Sequence, residues 1–274
     1  MSGTVRIGGQ ALADGVLMRT SRAWAVARDD GSVEVGALAP RRTANIPVLR
    51  FLVGLAGGMR LAVGRGMLGR GAGAAAATRA RRRNARFLWV LLEVEIVGLS
   101  FSFLVDGRTL PLWAGTAATA GPWVMAFAVL RLLTPGSLWR YHGAEHKAVA
   151  AHEAGVAMDD VQAVLAAPRV HDRCGTNLVF LAMIGGLAVG GLPAAFQVPA
   201  FVLLMATTAE AVTQAAGRPR SPVSRLVLAG GRALQRYVTT AEPTTAEQAV
   251  GCRALAACLA LHEQLVAPPG AVYL

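Results

Sequence analysis

The pattern of apolar and polar positions divides the chain into four stretches. In residues 1–45, Ala23-Trp24-Ala25-Val26-Ala27 and Val33-Glu34-Val35 flank Asp29-Asp30-Gly31-Ser32. Two apolar runs around a Gly-containing turn predict a β-hairpin. Upstream, Gly8-Gly9-Gln10 and Gly15 point to tight backbone contacts and not to a helix. Residues 46–86 are different in kind. Over 46–70, Leu49, Leu52, Val53 and Leu55 alternate with glycines and with Arg50, Arg60, Arg65 and Arg70. That mixture predicts an amphipathic helix on a membrane surface or re-entrant into it. Residues 71–86 are almost all Ala, Gly and Arg, a loose basic linker.

Residues 87–216 hold four long apolar runs, at 87–105, 110–133, 178–192 and 198–216. Bilayer-crossing helices need roughly 17–25 residues, and the glycines of the third, short run suit tight helix packing. A polar segment at 135–176 lies between the second and third runs. Residues 217–274 are polar again, and Thr244 through Glu247 has the form of a capping box. The helix it opens should run to about residue 264 with Ala, Leu and Cys at core-like spacing. The expected fold class is mainly α: a polytopic membrane helical bundle of about four spans, with a small N-terminal β-containing segment.

Composition supports a membrane class. The chain is 54% hydrophobic and 16% charged, with mean hydropathy +0.46, against about 25% charged residues in soluble domains. A net charge of +11 would suggest nucleic acid in a soluble protein. Here the arginines gather between apolar runs, so the positive-inside rule explains them and no nucleic acid is expected. Arg79, Arg81, Arg82, Arg83 and Arg86 precede the first run, and Arg140, Lys147, Arg169 and Arg173 lie between the second and third. Arg218, Arg220, Arg225, Arg232 and Arg236 follow the fourth. Both termini and the His-rich segment are thereby expected on the cytoplasmic side of an inner membrane that the chain crosses several times. The first 20 residues lack the continuous apolar run of a cleavable signal peptide. Cys174, Cys252 and Cys258 make no paired framework, and the latter two read as small core residues.

The candidate chemistry centres on Tyr141-His142-Gly143-Ala144-Glu145-His146-Lys147, which contains the only lysine of the chain. A helix from near Trp139 to Gly155 puts His142 and His146 about 40° apart on one face. The H-x-x-E-H order is that of the inverted zinc hydrolases. His142 and His146 could grip a divalent metal, with zinc the expected ion, Glu145 as general base and Lys147 steadying a negative group. Glu153 falls in the same arc and is the local third ligand, with Glu210 the remote one. His171 and Cys174, three apart, could share the metal if the backbone turns. Cys174 could instead be a nucleophile activated by His171, or this segment could simply cap the third run.

These residues together resemble the YqhQ-like family of bacterial integral membrane proteins. The likeness rests on Gly8-Gly9-Gln10-Ala11, Ile46 to Arg50, Tyr141 to Lys147 with Glu153, and His171 with Arg173-Cys174-Gly175. It continues through Glu210 and the closing Gln235, Thr239-Thr240 and Glu242-Pro243. The resemblance implies a shared site in metal-dependent enzymes of unknown function and supplies no substrate. Asp172 stands where the family usually has proline, and Asp14 where it has glutamate. The expected function is a cytoplasm-facing metal-dependent hydrolase acting on a membrane-associated substrate, partnered by the lipid bilayer, with homo-oligomerisation left open. The competing readings are a non-enzymatic scaffold or assembly factor and an ion-coupled transporter using Glu93, Glu95 and Glu210.

Overall fold

The computed structural model describes residues 5–39 and 128–266, apart from positions 191 and 193, together with Met125 and isolated positions between 46 and 57. The expected surface helix, basic linker, first run and most of the second therefore lie outside the described residues. The remainder is mainly helical with an N-terminal sheet.

Four antiparallel strands follow one another in the order β1-β2-β3-β4: Gly8–Leu12, Gly15–Arg19, Ala23–Arg28 and Val33–Ala37. The expected hairpin is β3–β4, turning through Asp29 to Ser32, where the Asp30 carboxylate accepts from the Ser32 amide at 2.8 Å. The glycine-rich stretch upstream, read only as tight backbone, is a second hairpin in register from Gly8↔Arg19 to Leu12↔Gly15. Its two-residue turn holds Asp14, which pairs with buried Arg28 on β3 at 2.6 Å.

One face of the sheet is covered by two helices, α1 (Gly136–Glu153) and the last helix, α6 (Thr245–Val266). The core between them contains Val16, Met18, Ala25, Tyr141, Ala148, Val250, Leu255 and Cys258. Small residues at Ala25, Ala27, Ala144 and Ala148 let helices and sheet approach closely, which is why so Ala-rich a chain still closes a core. The other face gathers Leu12, Leu17, Trp24 and Val26. Cys252 and Cys258 are buried here as expected. The capping box also forms: the Thr244 amide donates to Glu247 Oε2 at 2.9 Å, and the Glu247 amide donates to Thr244 Oγ1 at 3.3 Å.

A second group packs α3 (Gly175–Gly190), α4 (Ala194–Ala216) and α5 (Pro222–Leu234) against one another. Between α1 and α3 lies a short helix, α2 (Val161–Leu165), capped by the Asp160 carboxylate. The third and fourth apolar runs are thus helical. Among the described residues, however, only Thr245–Val266 is long and apolar enough to cross a membrane, and 39% of it is buried. That helix covers the sheet. Polar Thr207, Thr208, Glu210 and Thr213 lower the apolar content of α4.

Candidate metal centre and its surroundings

α1 runs from Gly136 to Glu153 and delivers His142, Glu145 and His146 to one cavity. The helix forms because Pro135 ends what precedes it and no proline follows before Gly155, whose φ of +80° closes the C-terminus. The loop before α3 brings Cys174 to the same place. Ligand atoms of His142, His146 and Cys174 all lie within 4.8 Å of one another. The two imidazoles meet edge to face with centroids 4.4 Å apart, and Cys174 Sγ is 3.4 Å from His142 Nε2. A His-His-Cys group so arranged could hold a metal ion.

The surroundings fix which nitrogen each histidine offers. His142 Nδ1 is 2.6 Å from the Thr239 carbonyl oxygen, and His146 Nδ1 is 2.7 Å from that of Arg169. A carbonyl oxygen can only accept, so each Nδ1 carries the proton and each Nε2 keeps a lone pair. Metal-ligating histidines are commonly oriented by such a bond on the opposite nitrogen. Cys174 Sγ in turn accepts from the Thr176 amide at 3.4 Å, at the start of α3.

These carbonyls are placed by elements far along the chain. After α5 the backbone makes one π-helical turn, Gln235–Thr239, and Thr239 at its end meets α1. Gly143 has no side chain where the Ala241 carbonyl passes, and the Ala241 amide donates to the Trp139 carbonyl at 2.8 Å. Arg169 sits in a loop held by Lys147, whose Nζ donates to the Leu165 and Ala167 carbonyls at 2.7 and 2.9 Å and pairs with Glu242 at 3.0 Å. Lys147 thus points away from the cavity. It lies about 140° round the helix from His142.

Glu145 is buried and faces the cavity, and no hydrogen bond to it is found among the described residues. Burial pushes its carboxyl up to about 7, against the pull of nearby His142. Its carboxyl occupies the space a side chain at Gly9 would need, so the bare backbone of β1 makes room for it. Burial also lowers His146, partly countered by Cys174, and lowers His171.

The other expected site residues take different places. His171 lines the cavity with its ring 6.0 Å from that of His146, but both its nitrogens are occupied. Nδ1 accepts from the Arg173 amide at 3.3 Å, and Nε2 donates to Glu153 Oε2 at 3.3 Å. Glu153 also pairs with Arg173, forming a charged rim. Glu210 lies on α4, which packs against α3 and α5, and does not line this cavity. Asp172, where the family usually has proline, takes Arg232 of α5 by two bonds of 2.7 Å each. Sequence reasoning missed Gly9 and Arg169 as parts that shape the site, and it missed the pairing of Asp172 with Arg232; Gly9, in a Gly-Gly pair, left a visible signal.

No curated protein and no solved structure matches the chain. Residues 126–261, the stretch that carries the centre from before α1 into α6, match the model of a family described as "Protein of unknown function (DUF1385)".

Proposed function

We propose that this chain is a membrane-associated, metal-dependent hydrolase whose zinc is held by His142, His146 and Cys174, with Glu145 as general base. The observation that carries the reading is the convergence of three ligand atoms within 4.8 Å beside a buried carboxyl. Three protein ligands leave a fourth position open, as in catalytic zinc sites. Bound there, the metal would supply a water whose pKa lies near ~7. Glu145, which faces the same cavity, would be the group to accept a proton there and to give one to a leaving group. Glu153, His171 and Arg173 form the rim that substrate crosses. Lys147 acts through the loop it anchors, since that loop carries the Arg169 carbonyl.

The membrane part of the proposal rests on the apolar runs and the arginine distribution, which favour several spans with both termini in the cytoplasm. The resemblance to the YqhQ-like family points the same way. Metal analysis of purified protein, wild type beside His146→Ala, tests the centre. Wild type should carry one equivalent of zinc and the variant none. A wild type that holds no transition metal, and whose melting temperature does not rise with added zinc, refutes the reading.

A further inference from the structure

Gln235 is fully buried just after α5. Its Oε1 accepts from the His171 amide at 2.8 Å, while among the described residues its Nε2 has no hydrogen-bond partner. A buried donor left unpaired costs stability, so an apolar side chain of the same size would serve packing better. What the position uses is the oxygen. The main chain of Gln235 is also unusual. Its carbonyl accepts from the Thr240 amide at 3.1 Å and from the Thr240 hydroxyl at 2.7 Å. An amide five positions on closes a wider ring than the α-helical bond does, and single turns of this kind occur often at functional sites.

The widened turn, Gln235–Thr239, reaches the outer side of all three candidate ligands. It meets His142 directly, through the Thr239 carbonyl. It meets Cys174 through one hydroxyl: Thr176 Oγ1 lies 3.2 Å from Thr239 Oγ1 and 3.3 Å from Cys174 Sγ. It meets His146 through one residue. The Arg169 guanidinium donates to the carbonyl of Arg236 at 3.1 Å and to that of Thr240, just past the turn, at 3.3 Å. The carbonyl of the same arginine holds His146 Nδ1. Gln235 fastens the turn to the loop that runs from His171 to Cys174.

We infer that, with a metal on His142, His146 and Cys174 as proposed above, this one turn supports the whole ligand set and Gln235 is its positioning residue. Gln235 does not line the cavity. It acts by holding the turn where the outer hydrogen bonds of the three ligands form together. The ligands then behave as one unit. Loosening the turn disturbs all of them, and two lesions in the same support cost less together than the sum of each alone.

The test uses the full chain loaded with cobalt(II), whose visible bands report ligand geometry, and zinc affinity read by competition with a chromophoric chelator. Gln235→Met keeps the volume and removes the oxygen, whereas Gln235→Glu keeps an oxygen. Gln248→Met is the control, since Gln248 is equally buried but donates to the Ala144 carbonyl. Gln235→Met should shift the cobalt bands and weaken zinc binding about 10-fold or more. Gln235→Glu should bring both back toward wild type, and Gln248→Met should leave both unchanged. Gln235→Ala is read in the same way should Gln235→Met not fold. Thr176→Ala combined with the Gln235 variant should weaken binding by less than the product of the two single effects. Unchanged bands and affinity in the Gln235 variant, or a loss that Gln248→Met shares equally, overturns the inference and leaves the metal centre standing. Single effects that simply multiply in the double variant also overturn it. A wild type that takes up neither cobalt nor zinc removes the centre itself, and its support with it.

Discussion

His142 and Cys174 stand 32 positions apart in sequence, yet His142 Nε2 and Cys174 Sγ lie 3.4 Å apart. The histidine comes from the first turns of α1 and the cysteine from the start of α3. Thiolate and imidazole together select zinc over harder ions such as magnesium or calcium. Substituting cobalt for zinc should give a thiolate-to-metal charge-transfer band in the near ultraviolet. Cys174→Ser should abolish the band while metal binding persists more weakly. A band that survives in the variant excludes Cys174 as a ligand.

Gly143 controls the metal at second hand. A methyl group there would collide with the Ala241 carbonyl and push the 239–243 segment off α1. The Thr239 carbonyl would then lose His142 Nδ1. Loss of such an orienting bond costs roughly 10–100-fold in metal affinity. Gly143→Ala should therefore weaken zinc binding in that range, measured by competition with a chromophoric chelator, with the helical circular dichroism retained.

Glu145 gives the metal-free protein a pH dependence of definite sign. Its carboxyl is raised from 4.5 to about 7 by burial. The folded state holds this proton more firmly than the unfolded state. The stabilising contribution is thus complete below the unfolded value and is lost as pH rises through about 7. The swing is at most on the order of 3 kcal/mol. His146 and His171 are lowered and act in the opposite sense, losing stability as pH falls below their ordinary value. Glu145→Gln isolates the carboxyl: its advantage over wild type in melting temperature should be small at pH 5 and grow toward pH 8. An advantage that stays constant across the range contradicts the buried assignment.

Asp172 and Arg232 tie the Cys174 turn to α5 through two short bonds. Both side chains are partly exposed, so the pair should contribute only about 1 kcal/mol. A double-mutant cycle with Asp172→Ala and Arg232→Ala, read by chemical denaturation, should return a coupling of that size. Asp172→Pro is the more informative change. It removes the pair, and restored zinc affinity would show that rigidity of the turn is what matters.

Much of the centre is legible in the sequence because helical spacing alone places His142 and His146 together. Cys174 and His171 are legible as a cluster of the right residue types. The rest is hidden for physical reasons. The orienting groups are main-chain carbonyls of Arg169 and Thr239, and a carbonyl looks the same in every residue. Lys147 reads as a charge beside the site, but its three donors go to carbonyls on the other side of α1 and to Glu242. Glu210 reads as a partner because its run should end on the same side. Packing decides otherwise, since α4 meets α3 and α5. In the N-terminal part, the Trp24 and Val33 hairpin has clear strand composition. The Gly8 hairpin does not, because its glycines leave space for Glu145 and lack the branched side chains that mark strands.

The closure of the N-terminal sheet by α6 sets an order of events during synthesis. β2 and β3 leave the ribosome early, yet the helix that covers them begins at Thr245. Until those last turns emerge, the face bearing Val16, Met18 and Ala25 lacks this cover, and Thr20 waits for His262 across 242 positions. Contacts this distant close late and leave apolar surface open to association in the meantime. The His142–Thr239 bond also awaits the π-helical turn. Between the synthesis of Cys174 and that of Thr239, the nascent chain therefore carries all three ligand residues with this orienting bond still unmade.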